Sequence, residues 1–139
     1  MKTKLIFSLF AAMVMMHSAI ASDSRCVYMC TKCDEIVASE VRPNSDKCSK
    51  WAHHIWGNLG RVGKNVFICQ KCNKVVYTAF PPNCGYSEKY GYHNWIRLGE
   101  FAQTIFRCKK CGVSAYLKKI PNGVACPASN GGLHEWQNN

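Results

Sequence analysis

Short apolar runs recur in pairs along the chain, and a few polar residues separate the two runs of each pair. The first runs are Val27-Tyr28-Met29, Val66-Phe67-Ile68 and Thr104-Ile105-Phe106. The second runs are Ile36-Val37-Ala38, Val75-Val76-Tyr77 and Ser114-Ala115-Tyr116-Leu117. Because β-branched and aromatic residues favour strands, each pair predicts a β-hairpin. No stretch has the apolar spacing of an amphipathic helix of useful length.

A turn and a third short strand are expected after each hairpin. The turns open with Pro43-Asn44, Pro82-Asn83 and Pro121-Asn122, since proline cannot donate a hydrogen bond to a strand ladder. The residues after Trp56, Trp95 and Trp136 predict the third strands. We therefore predict a small all-β fold of three tandem modules, each with three short antiparallel strands. The links between modules, such as residues 61–64, are short, so neighbouring modules are expected to touch.

The turn of each predicted hairpin carries the sequence C-x2-C, and a later cysteine and then H-x-W follow it. The first cysteines of the three copies, Cys30, Cys69 and Cys108, are 39 residues apart. A fixed period of this length is typical of a repeat protein. We therefore divide the chain after residue 21 into modules at 22–64, 65–102 and 103–139.

Each module offers three thiols and one imidazole, which is the ligand set of a closed, structural, tetrahedral zinc site. Units of about 40 residues bury too little apolar surface to be stable alone and commonly need a metal or disulfides. The sequence therefore predicts three structural Zn²⁺ ions, with no catalytic residues and no other cofactor. The predicted ligands are Cys30, Cys33, Cys48 and His54, then Cys69, Cys72, Cys84 and His93, and finally Cys108, Cys111, Cys126 and His134.

Several residues near these sites have more than one interpretation. His53 adjoins His54, but only His54 keeps the H-x-W spacing, so His53 is expected on the surface. The tryptophans of H-x-W are interpreted as the large apolar residue beside each metal, rather than as stacking platforms for bases or sugars. Cys26 falls outside the repeat, and a free thiol, an intermolecular bridge and an alternative ligand all fit it.

Two other interpretations of the cysteines stay open. Disulfides form in exported proteins, but three cysteines per repeat leave one without a partner and leave the recurring H-x-W unexplained. A redox catalyst places the first cysteine of C-x-x-C at a helix N-terminus, whereas here strand-forming residues follow the motif. Metal binding explains both the cysteines and the histidines, and it is the preferred interpretation.

Residues 1–21 have the pattern of a secretory signal peptide. Lys2 and Lys4 precede an apolar run at 5–16, and the small residues Ala19 and Ala21, separated by one residue, predict cleavage before Ser22. The apolar run is shorter than the roughly 20 residues that span a bilayer. We therefore expect an exported protein, periplasmic or secreted, with no membrane span after cleavage.

The chain is basic, with a formal net charge of +10. Loss of Lys2 and Lys4 leaves +8, and each site of three thiolates, a neutral imidazole and Zn²⁺ contributes −1, which gives +5. The excess is greatest in residues 103–139, where Glu135 is the single acidic residue. A basic surface attracts anionic partners at long range.

The modules resemble zinc ribbons, in which a C-x2-C hairpin and a second ligand pair on a later loop hold the metal beside three short strands. The resemblance covers nearly the whole mature chain. The segment from Pro121 through Cys126-Pro127 to His134-Glu135-Trp136 looks like small bacterial ribbon segments with three cysteine ligands and one histidine. Zinc ribbons include modules that bind nucleic acid, modules that bind proteins and purely structural modules. Most are intracellular, so the export signal argues against a role in transcription.

Four protein ligands per site leave no open position for water or substrate, so we predict that the protein is not an enzyme. We expect an exported, zinc-binding interaction module whose basic, aromatic-bearing surface faces a protein or an anionic envelope component. The alternatives are zinc storage or delivery, a disulfide-stapled protein without metal, and nucleic-acid binding. Nucleic acid would be bound through Lys109, Lys110, Lys118, Lys119 and Tyr116. The sequence indicates neither the particular partner nor the oligomeric state.

Overall fold

The computed structural model describes residues 24–139, so the signal peptide predicted at 1–21 lies outside the described residues. Residues 24–139 contain ten strands and no helix, which confirms the predicted small all-β fold. Within this range, no helix is long and apolar enough to cross a membrane. The strands are β1 (Cys26–Cys30), β2 (Ile36–Ser39), β3 (Trp56–Cys69), β4 (Val75–Thr78), β5 (Tyr86–Ser87), β6 (Gly91–Tyr92), β7 (Trp95–Glu100), β8 (Ile105–Cys108), β9 (Ser114–Tyr116) and β10 (Trp136–Asn138).

All strand pairs are antiparallel, and the three modules repeat one pairing scheme. The predicted hairpins are β1–β2, β3–β4 and β8–β9, and a later strand pairs with the first strand of each hairpin. This later strand is the first half of β3 in module one, β7 in module two and β10 in module three. A small extra hairpin, β5–β6, belongs to module two.

Strand β3 joins the first two modules into one five-stranded sheet. It is 14 residues long and runs through residues 61–64, which we expected to be a link between modules. The strand continues there because the Val62 N–H donates to the Arg25 carbonyl and the Ala79 N–H donates to the Arg61 carbonyl, each at 2.9 Å. An irregularity in the β3–β4 register falls between Val62 and Asn65, so the strand is bent at this point.

The modules share their hydrophobic cores through β3. Successive side chains of a strand point to opposite faces, so Val66 and Ile68 face one way and Phe67 the other. Val66 and Ile68 belong to a cluster with Leu117 of module three. Phe67 belongs to a second cluster with Val27 of module one. Both faces of β3 are therefore covered, which explains why residues 66–69 are all buried.

Strand β8 carries a charged residue at a position that is apolar in the other two modules. Residues 29, 68 and 107 occupy matching positions, since each lies one residue before the first cysteine of its module. Met29 and Ile68 are buried, whereas Arg107 is exposed. Within residues 24–139, this face of β8 is therefore left exposed to solvent at Arg107.

Candidate metal centres

The hairpin tips are built in the same way in all three modules. The residue after the second cysteine has a left-handed backbone conformation, with φ of 59° at Asp34, 60° at Asn73 and 76° at Gly112. Asp, Asn and Gly are the residues that adopt this conformation most readily. Their N–H groups donate to the carbonyl oxygen of the first cysteine at 3.0, 2.9 and 2.9 Å respectively. This tight turn brings the two thiols of C-x2-C to one side of the hairpin.

The histidine of each module is fixed by its backbone and by the tryptophan two residues later. The N–H groups of His54, His93 and His134 donate to the carbonyl oxygens of Asp46, Gly85 and Val124 at 3.2, 3.3 and 2.8 Å. Each imidazole packs on the indole of H-x-W, with ring centroids 4.5, 5.2 and 5.0 Å apart. The tryptophans therefore lie beside the proposed sites, as the sequence suggested.

The Pro-Asn turns hold two of these tryptophans in place. The Trp56 indole N–H donates to the Asn44 carbonyl oxygen at 2.9 Å, and that of Trp95 donates to the Asn83 carbonyl oxygen at 3.1 Å. In module three the indole nitrogen of Trp136 is buried with no hydrogen-bond partner within residues 24–139. The recurring Pro-Asn thus orients the indole that packs on the histidine in modules one and two.

These elements bring the cysteines and histidines together in three groups, within each of which the ligand atoms lie within 4.8 Å of one another. Eleven of the twelve residues predicted as ligands belong to these groups. Group one is Cys30, Cys33, Cys48 and His54; group two is Cys69, Cys72 and His93; group three is Cys108, Cys111, Cys126 and His134.

Distances within the groups match the edges of a metal tetrahedron. Ligands at about 2.3 Å from a central zinc would lie roughly 3.8 Å from one another. In group one, the Sγ atoms of Cys30 and Cys48 are 3.9 Å apart, and Cys33 Sγ is 3.6 Å from His54 Nδ1. In group three, Cys111 Sγ is 3.5 Å from His134 Nδ1. The ligating nitrogen would therefore be Nδ1.

No disulfide joins any of the ten cysteines, all of which lie within the described range. The Cys30–Cys48 separation of 3.9 Å is far from the roughly 2.05 Å of a sulfur–sulfur bond. The three groups suit zinc, because thiolate sulfur and imidazole nitrogen are the donors that zinc takes in structural sites.

Backbone N–H groups favour the thiolate form at the first cysteine of a tip. Burial raises the pKa of Cys30, but N–H groups of Cys33 and Lys32 outweigh it and hold the pKa at about 6. The Lys32 N–H lies 3.4 Å from Cys30 Sγ. Burial raises the pKa of the second cysteine, Cys33, to about 11. Both thiols must lose their protons when a metal binds, and the opposite directions of the two pKa shifts make this easier at Cys30 than at Cys33.

The outer nitrogens of the histidines have different surroundings. His54 Nε2 lies 3.5 Å from a carboxylate oxygen of Glu35, which can orient the ring as outer partners do at metal sites. His93 Nε2 and His134 Nε2 are buried and have no hydrogen-bond partner in the part of the chain that the structure describes.

Group two differs from the other two because the predicted ligand Cys84 is not among its members. Cys84 is exposed. Cys69, Cys72 and His93 are nevertheless close, with His93 Nδ1 at 3.3 Å from Cys69 Sγ and 3.4 Å from Cys72 Sγ. A hydrogen bond from the Cys72 thiol lowers the pKa of Cys69 to about 3, although burial opposes this shift.

A buried serine lies at the position in the 39-residue repeat where the other two modules have their third cysteine. Ser87 lies 39 residues after Cys48 and 39 residues before Cys126, and its exposed fraction is 1%. We predicted Cys84 instead, because it is the one cysteine between Cys72 and His93 in the sequence. The constant 39-residue spacing was the signal that points to Ser87.

His53 and Cys26, which the sequence did not assign to a metal site, lie outside all three groups. His53 is exposed, as expected. Cys26 begins β1 and is half-buried next to the cluster that contains Tyr28.

A cleft of about 560 Å³ lies between the hairpin tips of modules one and two, and sequence reasoning did not find it. We call it the lysine cleft, after the four lysines that line it together with Cys33 and Cys72. Two acidic residues also line it, and Glu88 forms an ion pair with Lys32. The lysines are Lys32, Lys50, Lys74 and Lys89, and the acidic residues are Asp34 and Glu88.

The lysines that the sequence singled out in module three are partly engaged with neighbouring groups. Lys109 Nζ lies 3.8 Å from a Glu135 carboxylate oxygen, and Lys118 Nζ lies 3.8 Å from one of Glu100. Lys110 donates to the Leu133 carbonyl oxygen at 3.2 Å.

The fold and the three groups define a small all-β protein with repeated cysteine–histidine clusters that can hold metal ions. Comparisons with family models, curated protein sequences and solved structures found no match.

Proposed function

We propose that this chain is an exported, tandem zinc-ribbon protein that acts as a non-catalytic binding module. One observation carries the zinc assignment: groups one and three each place three thiols and one imidazole nitrogen within 4.8 Å of one another. Thiolate with imidazole is a donor set that selects zinc among the common divalent ions. Bound zinc would cross-link a hairpin tip to a later loop and so supply stability that a 40-residue module lacks.

The proposed non-catalytic role rests on groups one and three, because group two brings together only three ligands. Groups one and three contain four protein ligands each, so a zinc ion held by all four has no position for a reacting water or substrate. The residues of these groups would therefore hold and orient the chain rather than move protons. The export assignment is supported by the pattern of residues 1–21 in the sequence.

We place the binding surface at the lysine cleft. Its four lysines outnumber its two acidic residues, and the cleft is formed by two neighbouring modules rather than by one hairpin. A concave surface on which positive charges outnumber negative ones concentrates negatively charged ligands. An acidic protein segment or an anionic envelope component is the partner that this surface favours, and nucleic acid is the alternative.

Native mass spectrometry of the purified protein, kept reduced, tests the zinc assignment. We expect tightly held zinc in groups one and three and unmodified cysteine masses. A protein that carries no metal and whose mass is lower by pairs of hydrogens would instead be disulfide-stapled, and the proposal would be rejected. Replacing His54 or His134 by alanine should remove one tightly held zinc each, which assigns the ions to these groups.

A further inference from the structure

We infer that the middle centre is a three-ligand zinc site, formed by Cys69, Cys72 and His93, and that its zinc exchanges while the outer two ions are retained. This inference rests on the proposed function, because it assumes that groups one and three hold structural zinc. The second module would then differ from the other two in that it releases its zinc more readily. The fourth coordination position there belongs to water or to another small donor from outside the chain.

The backbone aligns the three modules independently of residue type. The histidine N–H donates to the Asp46 carbonyl oxygen in module one and to that of Val124 in module three, and in module two it is shared between Cys84 at 3.2 Å and Gly85 at 3.3 Å, of which Gly85 keeps the 39-residue spacing. The residue two positions further along is Cys48 in module one and Cys126 in module three. In module two the corresponding residue is Ser87, so the loop brings serine where the outer modules bring the third thiol.

The Ser87 hydroxyl is poorly suited to replace that thiol. Serine is not among the usual protein ligands of zinc. A hydroxyl oxygen has two acceptor sites. At Ser87 both are used, because the backbone N–H groups of Lys89 and Tyr90 each donate to Ser87 Oγ at 3.3 Å. The oxygen therefore has no acceptor site left for a metal.

Cys84 does not supply a third thiol to the middle site either. It lies three residues before Ser87, its side chain is exposed, and it contacts the centre through its backbone. The His93 N–H donates to the Cys84 carbonyl oxygen at 3.2 Å. The next residue, Gly85, has a left-handed φ of 57°, and a Cβ there would lie 2.8 Å from Leu59 Cδ2. The loop is thus held closely against module one at Gly85, with the Cys84 side chain on its outer side.

With one thiolate fewer, the middle site differs from the outer sites in its net charge and in how firmly it holds zinc. A zinc ion with three thiolates and a neutral imidazole carries −1, whereas a zinc ion with two thiolates and an imidazole is neutral. Three protein ligands leave an open position, and an open position gives an incoming chelator direct access to the metal. Even outer-shell changes cost about 10–100-fold in metal affinity, so the loss of a ligand is expected to cost at least that much.

Zinc release to an excess of chelator tests the inference on the whole protein. We expect one equivalent of zinc to leave at least roughly tenfold faster than the other two. Ser87→Cys should slow this release to the rate of the outer sites, because it restores the third thiol. Cys84→Ser is the matched control and should leave the release unchanged. Three equivalents that leave the wild type together, or a third zinc lost in Cys84→Ser, would overturn the inference.

A second measurement needs no variant. The three groups contain eight cysteines, and Cys84 is not one of them. Alkylation of the zinc-loaded protein, mapped by mass spectrometry, should therefore modify Cys84 at once and leave Cys69 and Cys72 protected. Protection of Cys84 by zinc would show that it is a ligand and overturn the inference. A protein without zinc at any centre would refute the proposed function itself, which keeps the two failures distinct.

Discussion

Cys30 and Trp56 lie directly opposite each other in the ladder between β1 and β3, and the same pairing recurs as Cys69 with Trp95 and Cys108 with Trp136. The first cysteine of each group is thereby tied to a strand that begins at the tryptophan, two residues after the histidine. One strand register thus determines where the imidazole meets the thiols. The indole then packs on that imidazole.

Trp56→Ala should destabilise the protein by about 3–5 kcal/mol, because it removes a buried aromatic side chain. Trp56 is 6% exposed and packs on His54 at 4.5 Å between ring centroids. Trp51→Ala is the matched control, since Trp51 is 57% exposed and lies outside the core clusters. Chemical denaturation of the zinc-loaded proteins measures both. Equal losses for the two variants would show that the stack with the histidine contributes nothing.

Gly63→Ala should disrupt the sheet where the first two modules join. A Cβ at residue 63 would overlap the backbone of Ala79, which cannot move without breaking the β3–β4 pairing. The expected cost is about 1–3 kcal/mol or more, the usual range for forcing extra atoms into a packed site. Gly57→Ala is the control, because its nearest new contact is an ordinary 3.7 Å. A Gly63→Ala protein with wild-type stability would contradict the close approach of β3 to Ala79.

Ile68→Ala tests whether the modules share one core. Ile68 is fully buried and contributes to a cluster with residues of module three, so its truncation should cost about 2–5 kcal/mol. Arg107→Ala at the matching position of module three should change stability by about 0.5 kcal/mol or less, because Arg107 is on the surface. Thermal unfolding followed by circular dichroism compares them. If Ile68→Ala unfolds module two while module three keeps its transition, the shared core is refuted.

Lys74→Glu should weaken binding of a fluorescently labelled polyglutamate peptide, since Lys74 lines the lysine cleft. Lys119→Glu, which lies outside that cleft, should leave it unchanged. Fluorescence anisotropy at several salt concentrations gives both affinities, and attraction between opposite charges predicts weaker binding as salt rises. Tight binding of single-stranded DNA that Lys119→Glu abolishes and Lys74→Glu does not would favour the nucleic-acid alternative.

The hairpins and the outer two groups could be predicted from the sequence, because short sequence motifs determine them. β-Branched and aromatic runs determine the strands, and C-x2-C followed by Asp34, Asn73 or Gly112 suits the left-handed tip. The H-x-W spacing favoured His54 over His53, and His54 is the histidine that lies with the thiols of group one. These features depend on residues close together in the chain, where sequence patterns carry most information.

The remaining features depend on contacts between modules or on the exact path of a loop. Residues 61–64 resemble a link, yet the strand continues through them because the Val62 N–H donates to the Arg25 carbonyl oxygen and the Ala79 N–H to that of Arg61. The lysine cleft exists because two hairpin tips lie side by side. At the middle centre, the search for a third cysteine led to Cys84, whereas the 39-residue spacing and the burial of the side chain point to Ser87. Side-chain chemistry alone does not reveal such a substitution.

The most direct test of the central claim is the NMR spectrum of the reduced, zinc-loaded protein before and after zinc is removed by a strong chelator. We predict well-dispersed amide signals with zinc, their collapse when the ions of groups one and three are removed, and their return when zinc is added back. Dispersed signals that persist in the metal-free protein would contradict the claim that bound metal, rather than the apolar clusters alone, maintains this fold.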